Sequence, residues 1–140
     1  MKDIDKFSES KQQAIKHEIA RATYEIQDTA KREVPVDKGI LKNSIDAVIV
    51  NKELTGQVIV KRNYGIFVHE GTKPHIIRPV RKKVLAWRVR TQGKLGKDYV
   101  FAKVVNHPGT KPNPFLLRAV NKQRPIYQQN LINILSEGTK

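Results

Sequence analysis

The stretch Val84–Val105, VLAWRVRTQGKLGKDYVFAKVV, decides how the chain is read. In VLAWRVR (84–90), Leu85, Trp87 and Val89 alternate with Ala86, Arg88 and Arg90. YVFAKVV (99–105) is a second run rich in β-branched and aromatic residues. Two such runs joined by TQGKLGKD, with its glycines and charges, predict an antiparallel hairpin with an exposed tip. SIDAVIV (44–50) and GQVIVKR (56–62) predict another, with NKELTG as its turn. Val48 and Val50 fall on one face, and Val58 and Val60 on another.

Helical periodicity flanks these strands. Ile15, Ile19, Ala22, Ile26 and Ala30 recur at three- and four-residue steps and predict an amphipathic helix over 8–33. Ser8 or Ser10 is the expected cap, and Pro35 stops the helix through its effect on Val34. Asp37 is placed to cap a single turn running to Ser44. Tyr64, Phe67 and Val68 fit one helical turn, whereas Ile66 and Val68 fit a strand; the helical reading is preferred. Near the C-terminus, Pro114 suits a first turn, and PFLLRAVNKQ begins a helix over 114–136 that Pro125 is expected to kink or restart. Helix, antiparallel strands and helix in that order predict an α+β fold: a small antiparallel sheet over 44–105, the two long helices packed on it, and an extended hairpin and loop. At 140 residues, a single domain spanning 1–140 is the expectation.

Composition narrows the chemistry. There is no cysteine, so disulfides and thiolate metal sites are excluded. MKDIDKFSES has no apolar core and no run approaches about 20 apolar residues, so neither a secretory leader nor a membrane partner is expected. Residues 1–56 hold ten Lys/Arg and ten Asp/Glu, whereas residues 57–140 hold seventeen and three, so the net charge of +14 lies wholly in the second part. Such a one-signed field is either a solvated surface or a face for a polyanion or an acidic protein.

Within that basic part, HEGTKP begins at His69 and HPGTKP at His107. The surroundings do not repeat, so this is a recurrent loop rather than a structural repeat. Gly71 and Gly109 can take positive φ, Thr72 and Thr110 can bond to nearby backbone, and Pro74, Pro108 and Pro112 stiffen the loops around Lys73 and Lys111. A metal site on His69, Glu70, His75 and His107 lacks helical ligand spacing, and adjacent His69 and Glu70 are expected to diverge. GTKP lacks phosphate-loop spacing. No serine stands in a nucleophile-elbow motif. Two alternatives stay open: a small phosphodiesterase using His69 and His107, and a stand-alone basic nucleic-acid-binding domain. Trp87 could stack on bases, but the preferred reading makes it a core residue beneath an outer face carrying Arg88 and Arg90.

VPVDKGILKNSI, YGIFVHEGTKPHIIRP, LAWRV and VFAKVVNHPGTKPNPFLLRAV, in that order from Val34 to Val120, resemble the tail-completion proteins of long-tailed bacteriophages and prophages, also described as neck, head–tail joining or minor tail components. The resemblance implies a virion structural protein without catalysis or cofactor, made in the host cytoplasm and assembled as a hexameric or dodecameric ring. Its partners would be the head connector and the tail tube or terminator proteins. The ring would lie on the path of the DNA. On that reading the two loops (His69, Gly71–Pro74 and His107–Pro112) become subunit or partner contacts. Arg78, Arg81, Lys82, Lys83, Arg88, Arg90, Lys94 and Lys97 become candidates to face DNA or an acidic ring partner.

Overall fold

The computed structural model describes residues 2–50, 52, 54–91 and 94–136, with backbone alone for 2–7, 90–91 and 94–97. Helix α1 spans Lys2–Glu33 and buries Ile19, Ala22 and Ala30, members of the predicted stripe. It starts before the expected serines, which therefore lie inside the helix and do not cap it; nothing between Lys2 and Ser8 is a glycine or proline able to stop it. Thr23, also buried, donates its hydroxyl to the Ile19 carbonyl at 2.6 Å, so its polar atom is satisfied within the helix.

After Pro35 the chain makes one turn, α2 (Ile40–Asn43). Its N-cap is Gly39 at φ 73°, in place of Asp37, since a left-handed entry favours a residue without Cβ. Strands β1 (Ile45–Val50) and β2 (Thr55–Val60) form the first antiparallel pair, in register from Ile45↔Val60 to Val50↔Thr55. Ile45 is fully buried, with Val58 and Val60 partly buried beside it, while Val48 and Ile59 on the other face stay exposed. Helix α3 (Gly65–Glu70) supplies the predicted helical turn. It begins at a glycine because a Cβ there would sit 2.6 Å from Val60 Cγ1.

Helix α4 (Phe115–Ser136) runs through Pro125 without a break. The carbonyl that loses its partner belongs to exposed Asn121, where water can satisfy it. Contacts from Glu33 to Arg118, from Glu18 to Asn130 and from Lys11 to the Leu135 carbonyl show that α1 and α4 are antiparallel. Ala30, Val34, Leu41, Ile45, Phe115 and Ala119 make the core, with Phe115 its largest buried side chain. Full burial of a phenylalanine contributes about 1.5–3 kcal/mol.

All of these elements belong to one compact unit, residues 1–70 with 113–140. Residues 71–112 form a second unit, the arm. It holds β3 (His75–Ile77) paired with β6 (Val105–His107), and β4 (Leu85–Thr91) paired with β5 (Lys94–Ala102). The class is therefore α+β as the sequence predicts, its strands arranged as three two-stranded antiparallel sheets among the described residues. Two features of the arm differ from expectation. KLGKD belongs to β5 rather than to the hairpin tip, so the ribbon is longer, with an irregularity of register between Arg88 and Arg90 that absorbs Gly96 and its neighbours. The proline-bracketed HII and VNH form strands of their own.

Candidate functional site

The arm explains why the GTKP loop occurs twice. The two copies pair with each other. The Thr72 N–H donates to the Thr110 carbonyl and the Thr110 N–H to the Thr72 carbonyl, both at 3.0 Å, and the two hydroxyls lie 3.1 Å apart. The bridge is antiparallel and shares the register of β3–β6: three residues on from Thr72 is His75, three back from Thr110 is His107, and these two are also paired. In that register each glycine stands opposite the lysine of the other copy, Gly71 across from Lys111 and Gly109 across from Lys73. Pro74 and Pro108, which cannot donate to a ladder, separate the bridge from the strands.

Both glycines are required by the close approach. Gly71 has φ 75° and Gly109 φ 84°. A Cβ on Gly71 would lie 2.5 Å from the Thr110 carbonyl oxygen, and one on Gly109 2.2 Å from that of Thr72. The repeated sequence is thus the chemical trace of a local two-fold relation, in which one backbone shape is presented twice and closes on itself.

The histidines divide between the two units. His69 lies in the last turn of α3 in the first, its ring edge-on to Phe115 at 5.6 Å between centroids. Its Nδ1 lies 2.7 Å from Glu70 Oε1, so these adjacent side chains meet rather than diverge: both bend to the same side at the last turn of a short helix. His107 stacks on His75 at 5.0 Å and 29°. His75 Nδ1–H donates to the Lys73 carbonyl at 2.8 Å, and His107 Nδ1 accepts from the Gly109 N–H at 3.0 Å. His75 therefore carries a proton on Nδ1 and His107 does not, each ring being held by the backbone of the paired loops, the clasp. Among the described residues no group of three or more His, Cys, Asp or Glu could hold a metal ion, and no helix is long and apolar enough to cross a membrane.

The cations gather on the arm. Residues 71–112 carry eleven Lys/Arg and one Asp, a net of +10, against sixteen Lys/Arg and twelve Asp/Glu in the rest. Lys73, Arg78, Arg81, Lys82, Lys83, Arg88 and Lys111 are all exposed; the side chains of Arg90, Lys94 and Lys97 lie outside the described set. On the other unit, by contrast, acids are matched. Glu33 joins Arg118 at 2.5 Å and also Lys122, Glu18 joins Arg21 at 2.7 Å, and Asp46 joins Lys61 at 2.6 Å. Hydrogen bonds from Lys122 and Arg118 hold the Glu33 carboxyl below the usual carboxylate range. Those from Arg21 and Asn130 do so for Glu18 against the opposing effect of its burial, and that from Lys61 does so for Asp46.

No described residue of the arm is buried. Trp87, expected in a core, is 42% exposed. Alternation correctly assigns it to a face with Leu85, and the register adds Val100 and Ala102; Leu85 and Ala102 are half-buried, but Trp87 and Val100 stay exposed. The opposite face carries Ala86, Arg88, Tyr99 and Phe101. Arg88 Nε–H donates to the Tyr99 hydroxyl at 3.0 Å, its guanidinium carbon lies 5.3 Å from the Tyr99 ring centre, and the Tyr99 and Phe101 rings stack at 6.3 Å. Tyr99 and Phe101 were not singled out by sequence reasoning; the signal was their two-residue spacing on a strand opposite Arg88. Comparison with protein-family models, with curated proteins and with solved structures finds no match.

Proposed function

We propose that this chain is a non-catalytic structural protein of a tailed-phage virion, placed at the head–tail interface or the tail end, which acts by self-association into a ring and by docking to connector or tail proteins. The observation that carries the reading is that no arm residue whose side chain is described is buried. A two-stranded ribbon is marginal in water without a covered face. Here Trp87 and Val100 remain exposed on the apolar face that they share with half-buried Leu85 and Ala102. An exposed apolar strip of this kind is protein-contact material. The sequence resemblance supplies the setting.

Charge restricts the contact. Two arms, each of net +10, repel, so an arm-to-arm pairing is disfavoured. Contact of an arm with a different surface is heterologous, the kind that closes rings. The clasp serves the same end, since loops that brace each other within the arm lower the entropy lost when it docks.

The test is composition and function of the particle. Purified virions or tails should contain this polypeptide in a fixed ring stoichiometry, and charge reversal at Arg88 and Arg90 should impair head–tail joining or DNA retention. Particles lacking the polypeptide would overturn the assignment. Normal joining and retention in the charge-reversed variant would remove the basic face from it.

A further inference from the structure

We propose that Arg88, Tyr99 and Phe101 form a stacking site for unpaired bases of single-stranded nucleic acid, with the arm's other cations on its phosphates. The site does not depend on the virion assignment.

Three observations converge. The first is shape. Tyr99 and Phe101 stand two residues apart on β5, both exposed, at 51% and 65%, with centroids 6.3 Å apart and planes 27° from parallel. The two exposed rings, side by side along one strand and nearly parallel, form a flat platform on which an unpaired base can stack. The second is electrostatics. Arg88 is fixed over Tyr99 by a hydrogen bond and a cation–π contact, so a guanidinium borders the two rings. Arg81, Lys82 and Lys83 precede β4 and are exposed, without an acidic side chain between them. The third is the absence of an internal competitor. The arm's one acid is Asp98 against eleven cations, so the charge is not neutralised within the unit.

These features favour single strands over an acidic protein or a duplex. An acidic protein satisfies the cations but gives exposed rings no flat partner. A duplex offers phosphates, but its bases are already stacked on each other. A single strand offers both phosphates and open π-faces, and aromatic stacking on a basic groove is sequence-tolerant.

The experiment is fluorescence anisotropy with the full chain and a labelled oligothymidylate of about 20 nucleotides, against a blunt duplex of equal length and against polyglutamate as competitor. The wild type is expected to prefer the oligothymidylate at matched salt. Tyr99→Val with Phe101→Val keeps strand preference and removes both rings. It should weaken oligothymidylate binding about tenfold or more while leaving duplex binding unchanged. Amide exchange at Thr72 and Thr110, unchanged in the variant, would show that the arm still folds. A second variant, Arg88→Lys, keeps the charge and loses the planar fork; it should weaken the single strand alone. Equal binding by wild type and ring-less variant, or displacement by polyglutamate as effective as by unlabelled oligothymidylate, overturns the proposal.

Discussion

Thr72 and Thr110, thirty-eight residues apart in sequence, exchange both of their backbone hydrogen bonds and bring their hydroxyls within 3.1 Å. This pair closes the arm where the chain enters and leaves it. Its integrity rests on two left-handed glycines, and this gives a direct test. Gly109→Ala adds a Cβ 2.2 Å from the Thr72 carbonyl oxygen on a backbone at φ 84°. The conformation alone costs about 1–2 kcal/mol for a residue with a side chain. Amide exchange at Thr72 and Thr110 should accelerate by about tenfold or more, while the cooperative melt of the helical unit stays where it is. Gly39→Ala, also left-handed but with its nearest neighbour 3.9 Å away, has the conformational cost without the collision.

Phe115 tests the other unit. It is fully buried among Ala30, Val34, Leu41, Ile45 and Ala119. Phe115→Ala should cost about 3–5 kcal/mol, read as a lower denaturant midpoint with unchanged slope.

Acid should loosen the joint between α1 and α4. The folded state holds the Glu33 carboxyl below its ordinary value near 4.5, through Lys122 first and Arg118 second. A carboxylate of lowered pKa contributes stability that is fully present above the unfolded value and disappears as pH falls through the folded one. Glu33→Gln should therefore melt at lower temperature than wild type at pH 7, with the gap closing progressively below about pH 4.5. A gap that is constant from pH 7 to about pH 3 would show that the ion pairs carry no pH-linked stability.

The apolar face of the ribbon predicts a separation of folding from assembly. Trp87→Asp alters a residue that no core residue needs, so the melt of the helical unit should be preserved. Self-association by sedimentation, and incorporation into particles, should be lost.

Local patterns carried much of this molecule. The long helix, both hairpins and the helical turn before His69 were legible because their periodicities are clear. Two kinds of information were not. Alternation assigns Trp87 to a face but cannot say whether anything covers that face. HII, bracketed by Pro74 and Pro79, and VNH, cut off by Pro108, are too short to register as strands, since their pairing depends on contacts about thirty residues away. KLGKD reads as a loop from its glycines and charges, yet it joins β5 because its backbone pairs with Arg90 and Thr91, which no local pattern displays. The clasp was half visible. The duplicated GTKP is plain in the sequence, but that each copy is the other's partner appears only in three dimensions.

Because the clasp brings Gly71 and Pro112 side by side, and because no described core residue of the helical unit comes from between them, the segment has the topology of a cassette. Its length, charge and aromatic content can drift under selection for whatever it touches, while the helices and the first hairpin keep their own packing. Replacing it whole by a short flexible tether is the operation that such an arrangement tolerates.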